Sequence, residues 1–326
     1  MAERKPESLV FAFLVDEQGG GRDAWWPQID AWKPEDGLLW VHFDRAAPET
    51  AHWLKNHSRL EPVVTDALLQ QESRPRCLAV GNGLLVVLRG VNLNPGADPE
   101  DMVALRLWIE GQRIITTRHS KVMAIQDLRE RVASRHGPKS PGDFLVQLAE
   151  ALTARMAPTL DALNERVDKL EDAAPAARGE GTGAELAQLR RQAILIKRYL
   201  TPQCEAIARL ETEEQDWLDA THRVRLHETK DRVTRYLEDL DAIRDRTTVL
   251  QDELLNQLSL RLNKTMYLLS VVAAIILPPS FVAQIFGMSV GGIPGAVGSA
   301  GFWVIVALLA VLIAAELWFF RRLKWI

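Results

Sequence analysis

The most constraining feature of this sequence is a stretch of 51 residues, Thr265–Ala315, that contains no Asp, Glu, Lys or Arg. Charged residues make up 25% of the whole chain, so their absence here is a local property. Two apolar runs begin within this stretch, Met266–Phe286 and Phe302–Phe320. Each is close to the ~20 residues that a helix needs to cross the ~30 Å hydrocarbon layer of a membrane. Because the two runs lie back to back, we favour two membrane spans over a helical hairpin buried in a soluble core.

Basic residues at the ends of the two spans predict their orientation. The loop between the spans, Gly287–Gly301, contains six glycines, Pro294 and no Lys or Arg, whereas basic residues flank the outer ends of the pair. Loops rich in Lys and Arg stay in the cytoplasm. We therefore expect a multi-pass protein with both termini cytoplasmic. The flanking basic residues are Arg261, Lys264, Arg321, Arg322 and Lys324.

Two features inside the predicted spans depart from a plain apolar helix. Pro278-Pro279 removes two backbone donors from the first span, which spans tolerate where neighbouring groups bind the freed carbonyls. Glu316 is the only carboxylate in either span. We interpret it as a side chain that extends to the cytoplasmic interface beside Arg321 and Arg322, in preference to a member of a proton relay.

The residues before the spans divide into two predicted parts. Residues 1–140 contain short β-type runs with turn residues between them, which predicts an α/β cytoplasmic domain. Gly81-Asn82-Gly83 is typical of a hairpin turn between Cys77–Val80 and Leu84–Leu88, and Gly111-Gln112 of a second one. The apolar run after the first hairpin turn continues beyond Leu88 as far as Leu93. The other predicted strands are Leu9–Val15, Leu38–Phe43, Val103–Ile109 and Arg113–Thr117. The predicted helices are Glu61–Leu69 and Lys121–Arg135.

Residues 141–264 have the pattern of long cytoplasmic helices that end in a stalk. Gly142–Leu170 and Ala184–Leu210 are two of them, joined by the Ala-, Pro- and Gly-rich segment Ala173–Gly183. A third helix begins near Thr221 and meets no proline or glycine before Pro278. It therefore runs into the first span, over roughly 100 Å at about 1.5 Å per residue. Residues 265–326 form the transmembrane hairpin, with spans 266–286 and 302–320.

Several function classes are disfavoured by composition and motif content. The net charge of −4 gives no basic field for nucleic acid. No glycine-rich phosphate loop, Ser/His/Asp set or HExxH motif occurs, so we expect no catalytic residue, no enzyme activity and no cofactor. The histidine pairs His52 with His57 and His222 with His227 are spaced by five residues, not by the i, i+4 spacing of helical zinc ligands. We interpret them as surface histidines.

One face of the long helix carries polar residues into the first span. At 100° per residue, the residues of this face fall within an arc of about 120° around Asn263. Polar groups in a span are costly unless they face protein or water, so the set favours a water-lined path over serines that merely bond to their own backbone. The set comprises Asp245, Asp252, Asn256, Ser259, Asn263, Ser270, Ala273, Leu277, Ser280 and Gln284.

Two spans cannot enclose such a path, so several copies of the chain must surround it. Rings of Asp245 and Asp252 at the cytoplasmic end would then concentrate cations. The face therefore predicts a cation-conducting homo-oligomer. The alternative is a membrane-anchored coiled coil with a structural or sensory role, in which the polar face is only an interface between copies.

The sequence resembles the CorA-type metal ion transporters over essentially its whole length. The matching segments are Leu262-Asn263-Lys264-Thr265-Met266, Leu277-Pro278 and Phe286-Gly287-Met288. The resemblance implies a funnel-shaped homopentamer in the bacterial inner membrane, with the first span lining the pore. It also implies that Asp252 takes part in metal-sensed gating. By the resemblance, the pore-facing residues are Asn263, Met266, Leu269, Ala273, Leu277, Ser280 and Gly287.

One residue departs from the family pattern. Ser289 stands where the family has a signature asparagine, and the following Val290–Gly295 segment resembles the zinc-transporting ZntB branch. The resemblance therefore implies zinc as the transported ion, with magnesium, cobalt, nickel or cadmium as alternatives, by either proton-coupled or passive transport. The predicted metal-path residues are Asp245, Asp252, Asn263, Ser270, Leu277, Ser280, Gln284, Gly287, Met288 and Ser289.

We predict that Ser289→Asn shifts ion preference from zinc toward magnesium. The longer amide side chain can hold the water shell of a hydrated ion, which the serine hydroxyl reaches less well. Competition between the two ions for uptake into cells or vesicles measures the preference. An unchanged preference would mean that this position does not select the ion.

Overall fold

In the computed structural model, the described residues are 8–173, 181–288 and 299–322, and within them the N-terminal part is built on a seven-stranded sheet. The strand order is β2-β1-β3-β7-β6-β5-β4, and every neighbouring pair is antiparallel except β3 with β7. The strands are β1 Leu9–Val15, β2 Gly21–Asp23, β3 Leu38–Asp44, β4 Arg76–Val80, β5 Gly83–Gly90, β6 Val103–Glu110 and β7 Arg113–Arg118.

Helices account for most of the rest of the described chain. They are α1 Trp26–Ala31, α2 Pro48–Asn56, α3 Pro62–Leu69, α4 Met123–Ala133, α5 Pro141–Ala154, α6 Ala157–Asp172, α7 Thr182–Thr212, α8 Ala220–Gly287 and α9 Ser299–Arg322. The sheet is covered on both faces because its strands alternate buried apolar residues toward each side. α2 and α3 pack on one face, and α4, α5 and α7 pack on the other.

The predicted strands and both predicted hairpin turns are present. Gly81 and Gly111 have left-handed backbone, with φ of +54° and +53°, which a two-residue hairpin turn requires and glycine adopts without strain. The run Leu84–Leu93 ends as a strand at Gly90. Sequence patterns missed β2, α1 and α2. These elements are only 3, 6 and 9 residues long, too short for a clear periodicity.

The prediction of one helix over Gly142–Leu170 is wrong. The chain forms two helices, α5 and α6, separated at Arg155 and Met156. Pro158 explains the break, because its ring clashes with the carbonyl four residues earlier, at Ala154, and it has no N–H to donate there. Proline is instead accepted in the first turn of the new helix.

The N-terminal half of α8 packs on the soluble helices through one stripe of side chains. Buried residues recur at intervals of three, four or seven positions, the spacing of one helix face. Ion pairs flank the stripe: Arg225 binds Asp143 and Glu150 of α5, and Asp241 accepts from Lys197 of α7 at 2.6 Å. The buried residues are Leu226, Thr229, Val233, Leu240, Ile243, Thr247 and Leu250.

The chain separates into two compact units, residues 1–251 and 252–326, and the division falls within α8. The second unit contains the apolar part of α8 and all of α9. Both helices are long and apolar enough to cross a membrane, with mean hydropathies of 2.1 and 2.5 over their most apolar windows. The two predicted spans thus lie within helices. The domain boundaries at residues 140 and 264 stay predictions.

His42 is a fully buried ionisable group in the first unit. Its ring stacks on Phe11, with ring centroids 4.8 Å apart, and its Nδ1 lies 2.8 Å from Thr116 Oγ1. Nε2 is buried without a hydrogen-bond partner among the described residues. Burial, and then the positive charges of Arg118 and Arg129, hold the pKa of His42 well below its ordinary value.

We predict that acid destabilises the protein through His42. The folded chain keeps this ring neutral while the unfolded chain takes up a proton below about pH 6.5, so stability is present above that pH and is lost below it. The loss reaches about 1.4 kcal/mol per pH unit. Thermal unfolding in detergent between pH 7 and pH 5 measures it. His42→Asn, which keeps a donor near Thr116, should show a smaller slope, and an equal slope in both proteins would contradict the assignment.

Candidate ion path along the long helix

The predicted path residues lie along α8, and Asp245 is the one that belongs to the first unit. Arg244 donates to its Oδ1 from Nε at 3.1 Å and from Nη2 at 2.9 Å. Arg244 also lies 3.4 Å from Asp241, which accepts from Lys197. The Lys197 ammonium lowers the pKa of Asp241, and Asp245 raises the pKa of Arg244. The charge of Asp245 is therefore largely compensated within its own chain.

Asp252 differs from Asp245 in having no such compensation. It is exposed on α8, and among the described residues no Lys, Arg or His forms an ion pair with it. Its neighbour Glu253 carries the same charge about 100° further round the helix, off the predicted face. Of the two predicted acidic positions, Asp252 is the one that presents an uncompensated charge.

In the second unit, one side of α8 faces α9. Val271 is 7% exposed, and Ala274 and Pro278 line a cavity of about 450 Å³ together with residues of α9. The α9 residues of this cavity are Ala315, Glu316, Trp318, Phe319 and Phe320. This contact defines the side of α8 that is covered within a single chain.

The predicted path residues lie away from that contact. Leu277 and Gln284 fall about 100–120° round the helix from Pro278, and Leu277 is 65% exposed. Asn263, Ser270 and Gln284 are exposed as well, and Ser280 is half-buried. The Ser270 hydroxyl donates to the Met266 carbonyl at 2.9 Å, which leaves its oxygen free to accept from water. α9 therefore leaves this face of α8 open.

The C-terminal end of α8 is reached at Gly287. The backbone at Gly287 is not left-handed, and the Met288 N–H donates to the Ile285 carbonyl three residues earlier at 3.3 Å, which closes a tight turn there. A Cβ built on Gly287 meets no described atom within 4 Å. Met288 is 58% exposed, and Ser289 lies outside the described residues.

The position of Glu316 at the cytoplasmic membrane interface stays a prediction, but its expected pairing with Arg321 or Arg322 is not formed. Its Oε2 atom is buried in the cavity beside Pro278, and among the described residues it has no hydrogen-bond partner and no ion pair with Arg321 or Arg322. Arg322 instead lies over the ring of Trp318, at 5.4 Å from its centroid. The side chain thus turns toward α8 because its position on α9 faces that helix.

No preformed metal centre is present in the part of the chain that the structure describes. No group of three or more His, Cys, Asp or Glu there could hold a metal ion. Residues 252–288 contain no His or Cys, the ligands that zinc prefers. A divalent cation passing along this face of α8 would therefore keep most of its water shell.

Comparison with known proteins decides the family. The sequence profile described as "CorA-like Mg2+ transporter protein" matches residues 35–322, which is most of the chain. The chain belongs to the CorA family of divalent cation transporters. This is a family of membrane ion transporters, and the two apolar helices of the second unit fit a transmembrane part.

The sequences of several relatives align with nearly the whole chain. The divalent cation transporter CmaX of Pseudomonas aeruginosa is 37% identical, over 98% of this chain and 97% of its own. The zinc transport protein ZntB of Pectobacterium carotovorum is 37% identical, over 99% and 98% of the two chains. The ZntB of Yersinia pseudotuberculosis is 34% identical, over 97% and 96%.

Solved structures have the same fold. The structure of full-length CmaX superposes with a TM-score of 0.87, at 36% identity, and covers 99% of this chain and all of its own. The CorA magnesium transporter of Methanocaldococcus jannaschii superposes with a TM-score of 0.81 over 97% of this chain and 98% of its own. At 18% identity, the latter similarity concerns the fold alone.

We predict that Asp252→Asn slows cation uptake more than Asp245→Asn does, because only Asp252 carries a charge that its own chain leaves uncompensated. The effect at low ionic strength should be about 2- to 10-fold and should shrink as salt screens the charge. Uptake into vesicles at two salt concentrations measures it. Glu253→Gln is the matched control, since it removes the same charge from a different face. Equal losses for all three variants would argue against a ring at Asp252.

Proposed function

We propose that this protein moves zinc across the bacterial inner membrane through a central pore that five copies of α8 surround. The observation that carries the proposal is the open polar face of α8 in the second unit. A single pair of spans leaves that face exposed, and polar groups are costly against lipid. Copies of the chain arranged around it would turn the face toward water and ions. The number five comes from the resemblance to CorA-type transporters.

Exposed leucines on α8 support assembly from several copies. The regular burial of α8 against its own soluble unit stops at Leu250, but large apolar residues continue toward the span. Residues 252–264 precede the predicted span, so lipid cannot cover them. Surfaces of this kind are covered by other protein chains. The exposed residues in this segment are Leu255 at 60%, Leu258 at 45%, Leu260 at 68% and Leu262 at 65%.

The chemistry of the face fits a hydrated divalent cation. Asp252 supplies negative charge before the span, and Asn263, Ser270, Ser280 and Gln284 supply oxygens that can bind the water around an ion. Neutral oxygens bind a hydrated cation weakly, which allows it to leave again. Leu277 lies among them and would form an apolar ring, which closes a narrow path by expelling water.

Zinc is proposed because relatives of this length and identity include the ZntB proteins, whose names state zinc transport. CmaX, at the same identity, carries the broader name of divalent cation transporter. A magnesium or cobalt channel is therefore the second candidate.

The distribution of Lys and Arg supports cytoplasmic termini. A membrane-anchored coiled coil without transport is the third candidate, because the exposed leucines alone would also fit an interface.

Two measurements on the purified protein test the proposal. Its mass in detergent should be that of five chains. Sealed vesicles that contain it should take up zinc, and the same vesicles tested with magnesium, cobalt, nickel and cadmium, with and without a pH gradient, rank the ions and reveal proton coupling. A pentamer that passes none of these ions would support the coiled-coil alternative, and a stable monomer would contradict the pore.

We predict that Leu277→Ser raises the resting flux of cations and leaves the assembly intact, because a polar ring at this position no longer excludes water. Ile276→Ser is the matched control. Ile276 is also exposed, at 56%, but lies about 100° from Leu277 round the helix. Flux that rises in both variants, or an assembly that dissociates only with Leu277→Ser, would identify Leu277 as a packing residue.

A further inference from the structure

Two histidines that are five residues apart in sequence lie side by side at the end of α2. The imidazole rings of His52 and His57 have their centroids 5.7 Å apart, with 51° between the ring planes. Both side chains are exposed. On a continuous helix, five residues would turn the second ring about 140° away from the first. Helical spacing alone therefore does not predict this contact.

The contact arises because α2 ends between the two histidines. The helix spans Pro48–Asn56, and His57 has left it, with φ of −120° and ψ of −25°. The His57 N–H still donates to the Trp53 carbonyl at 2.8 Å, which closes the last turn. The change of backbone direction at His57 brings its ring beside that of His52.

A second histidine pair with the same spacing behaves differently. His222 and His227 both lie within α8, which continues without a break. His222 lies beside Asp219, and His227 lies beside Glu211 and Asp231. In the described part of the chain, the rings of His222 and His227 make no contact with each other. The helix end, and not the spacing, is what brings the first pair together.

The distance between the two rings at the end of α2 suits a shared metal ion. Zinc–nitrogen bonds are about 2.0–2.1 Å long, so two imidazoles on one tetrahedral ion have ring centroids roughly 5–6 Å apart. The centroid distance of 5.7 Å falls within that range. Imidazole suits zinc, copper and nickel, whereas magnesium prefers oxygen. We propose that His52 and His57 together bind one transition-metal cation of the zinc class, with water completing its coordination.

Asn56 determines which nitrogen of His52 is available. Its Nδ2 atom donates to the His52 carbonyl at 3.0 Å and lies 3.2 Å from His52 Nδ1. Nε2 is therefore the nitrogen left for the metal. A histidine that binds a metal through Nε2 carries its proton on Nδ1, and a neighbouring oxygen normally accepts that proton. The Asn56 amide supplies such an oxygen when it turns over.

The charges along α2 permit a cation at this place. Glu49 precedes His52 by three residues and therefore shares its face of the helix. Lys55 is the nearest cation along the helix, and it lines a cavity together with Asp66 of α3. No third His, Cys, Asp or Glu completes a metal cluster within the described residues. Binding therefore depends on both imidazoles, and the removal of either one should abolish most of it.

Metal binding has a structural consequence for the first unit. An ion shared by His52 and His57 joins the last turn of α2 to the residue that follows it. Because the ion binds the folded chain, it should stabilise that chain by mass action. The site does not rest on the proposed function, since its ligands are nitrogens outside the predicted ion path.

Equilibrium dialysis of zinc against the purified protein in detergent, with excess magnesium to occupy oxygen sites, tests the proposal. His52→Asn and His57→Asn should each lower the affinity for one zinc ion per chain by about tenfold or more, and the double variant should lose no second ion. His119→Asn, which changes another exposed histidine, should bind zinc as the wild type does. No loss in either single variant, a loss in only one, or the loss of two ions in the double variant would overturn the shared site.

Substitutions of Asn56 test the assignment of Nε2. A carboxylate accepts the Nδ1 proton more strongly than an amide does, so Asn56→Asp should tighten zinc binding by about 2- to 10-fold. Asn56→Ala removes the acceptor and should weaken binding by a similar factor. Binding that weakens in Asn56→Asp, or that is unchanged in both variants, would overturn the assignment.

Thermal unfolding provides a second readout that needs no transport. Zinc should raise the unfolding midpoint of the wild type and of His119→Asn more than that of His52→Asn or His57→Asn. Equal zinc-induced shifts in all four proteins would contradict the site. A protein that shows the expected shifts but takes up no zinc into vesicles would contradict the proposed function and leave the site standing.

Discussion

The absence of hydrogen-bond partners in hydrocarbon is the constraint on which the second unit depends. Every polar atom in an apolar helix must be satisfied by that helix, by a neighbouring helix or by water. Ser270 meets the requirement through its own backbone. Gln284 is exposed and has no hydrogen-bond partner among the described residues, which is why the face it shares with Ser270 and Ser280 indicates water and further copies.

The soluble unit holds the long helix by a different interaction. Its stripe of buried side chains, from Leu226 to Leu250, removes apolar surface from water. The flanking ion pairs, such as Arg225 with Glu150, are one-third exposed and contribute less, since exposed pairs are worth about 0–1 kcal/mol.

Much of the fold was predictable because its signals are local. The hairpin turns at Gly81 and Gly111 are each specified by two or three residues, and the strands beside them have short β-type runs of apolar residues. Short helices such as α1 have no period to detect. The break at Pro158 was missed, although the proline itself was the signal, because the apolar pattern continues across it. For the candidate ion path, helical spacing predicted that Leu277 and Gln284 share one face of α8. It did not predict which charged side chains surround each acidic residue.

The sequence by itself determined that this chain has two apolar spans, that one unbroken helix enters the first of them, and that polar residues share one of its faces. These properties follow from hydropathy and from the 3.6-residue period, which depend only on neighbours along the chain. The tertiary structure decided which side of α8 is covered by α9, and that Glu316 turns toward Pro278. It also decided that Asp241, which lies beside the ion pair of Arg244 with Asp245, accepts a hydrogen bond from Lys197, 44 residues away. A side chain's partner across space depends on segments remote in sequence, and no local pattern contains that information.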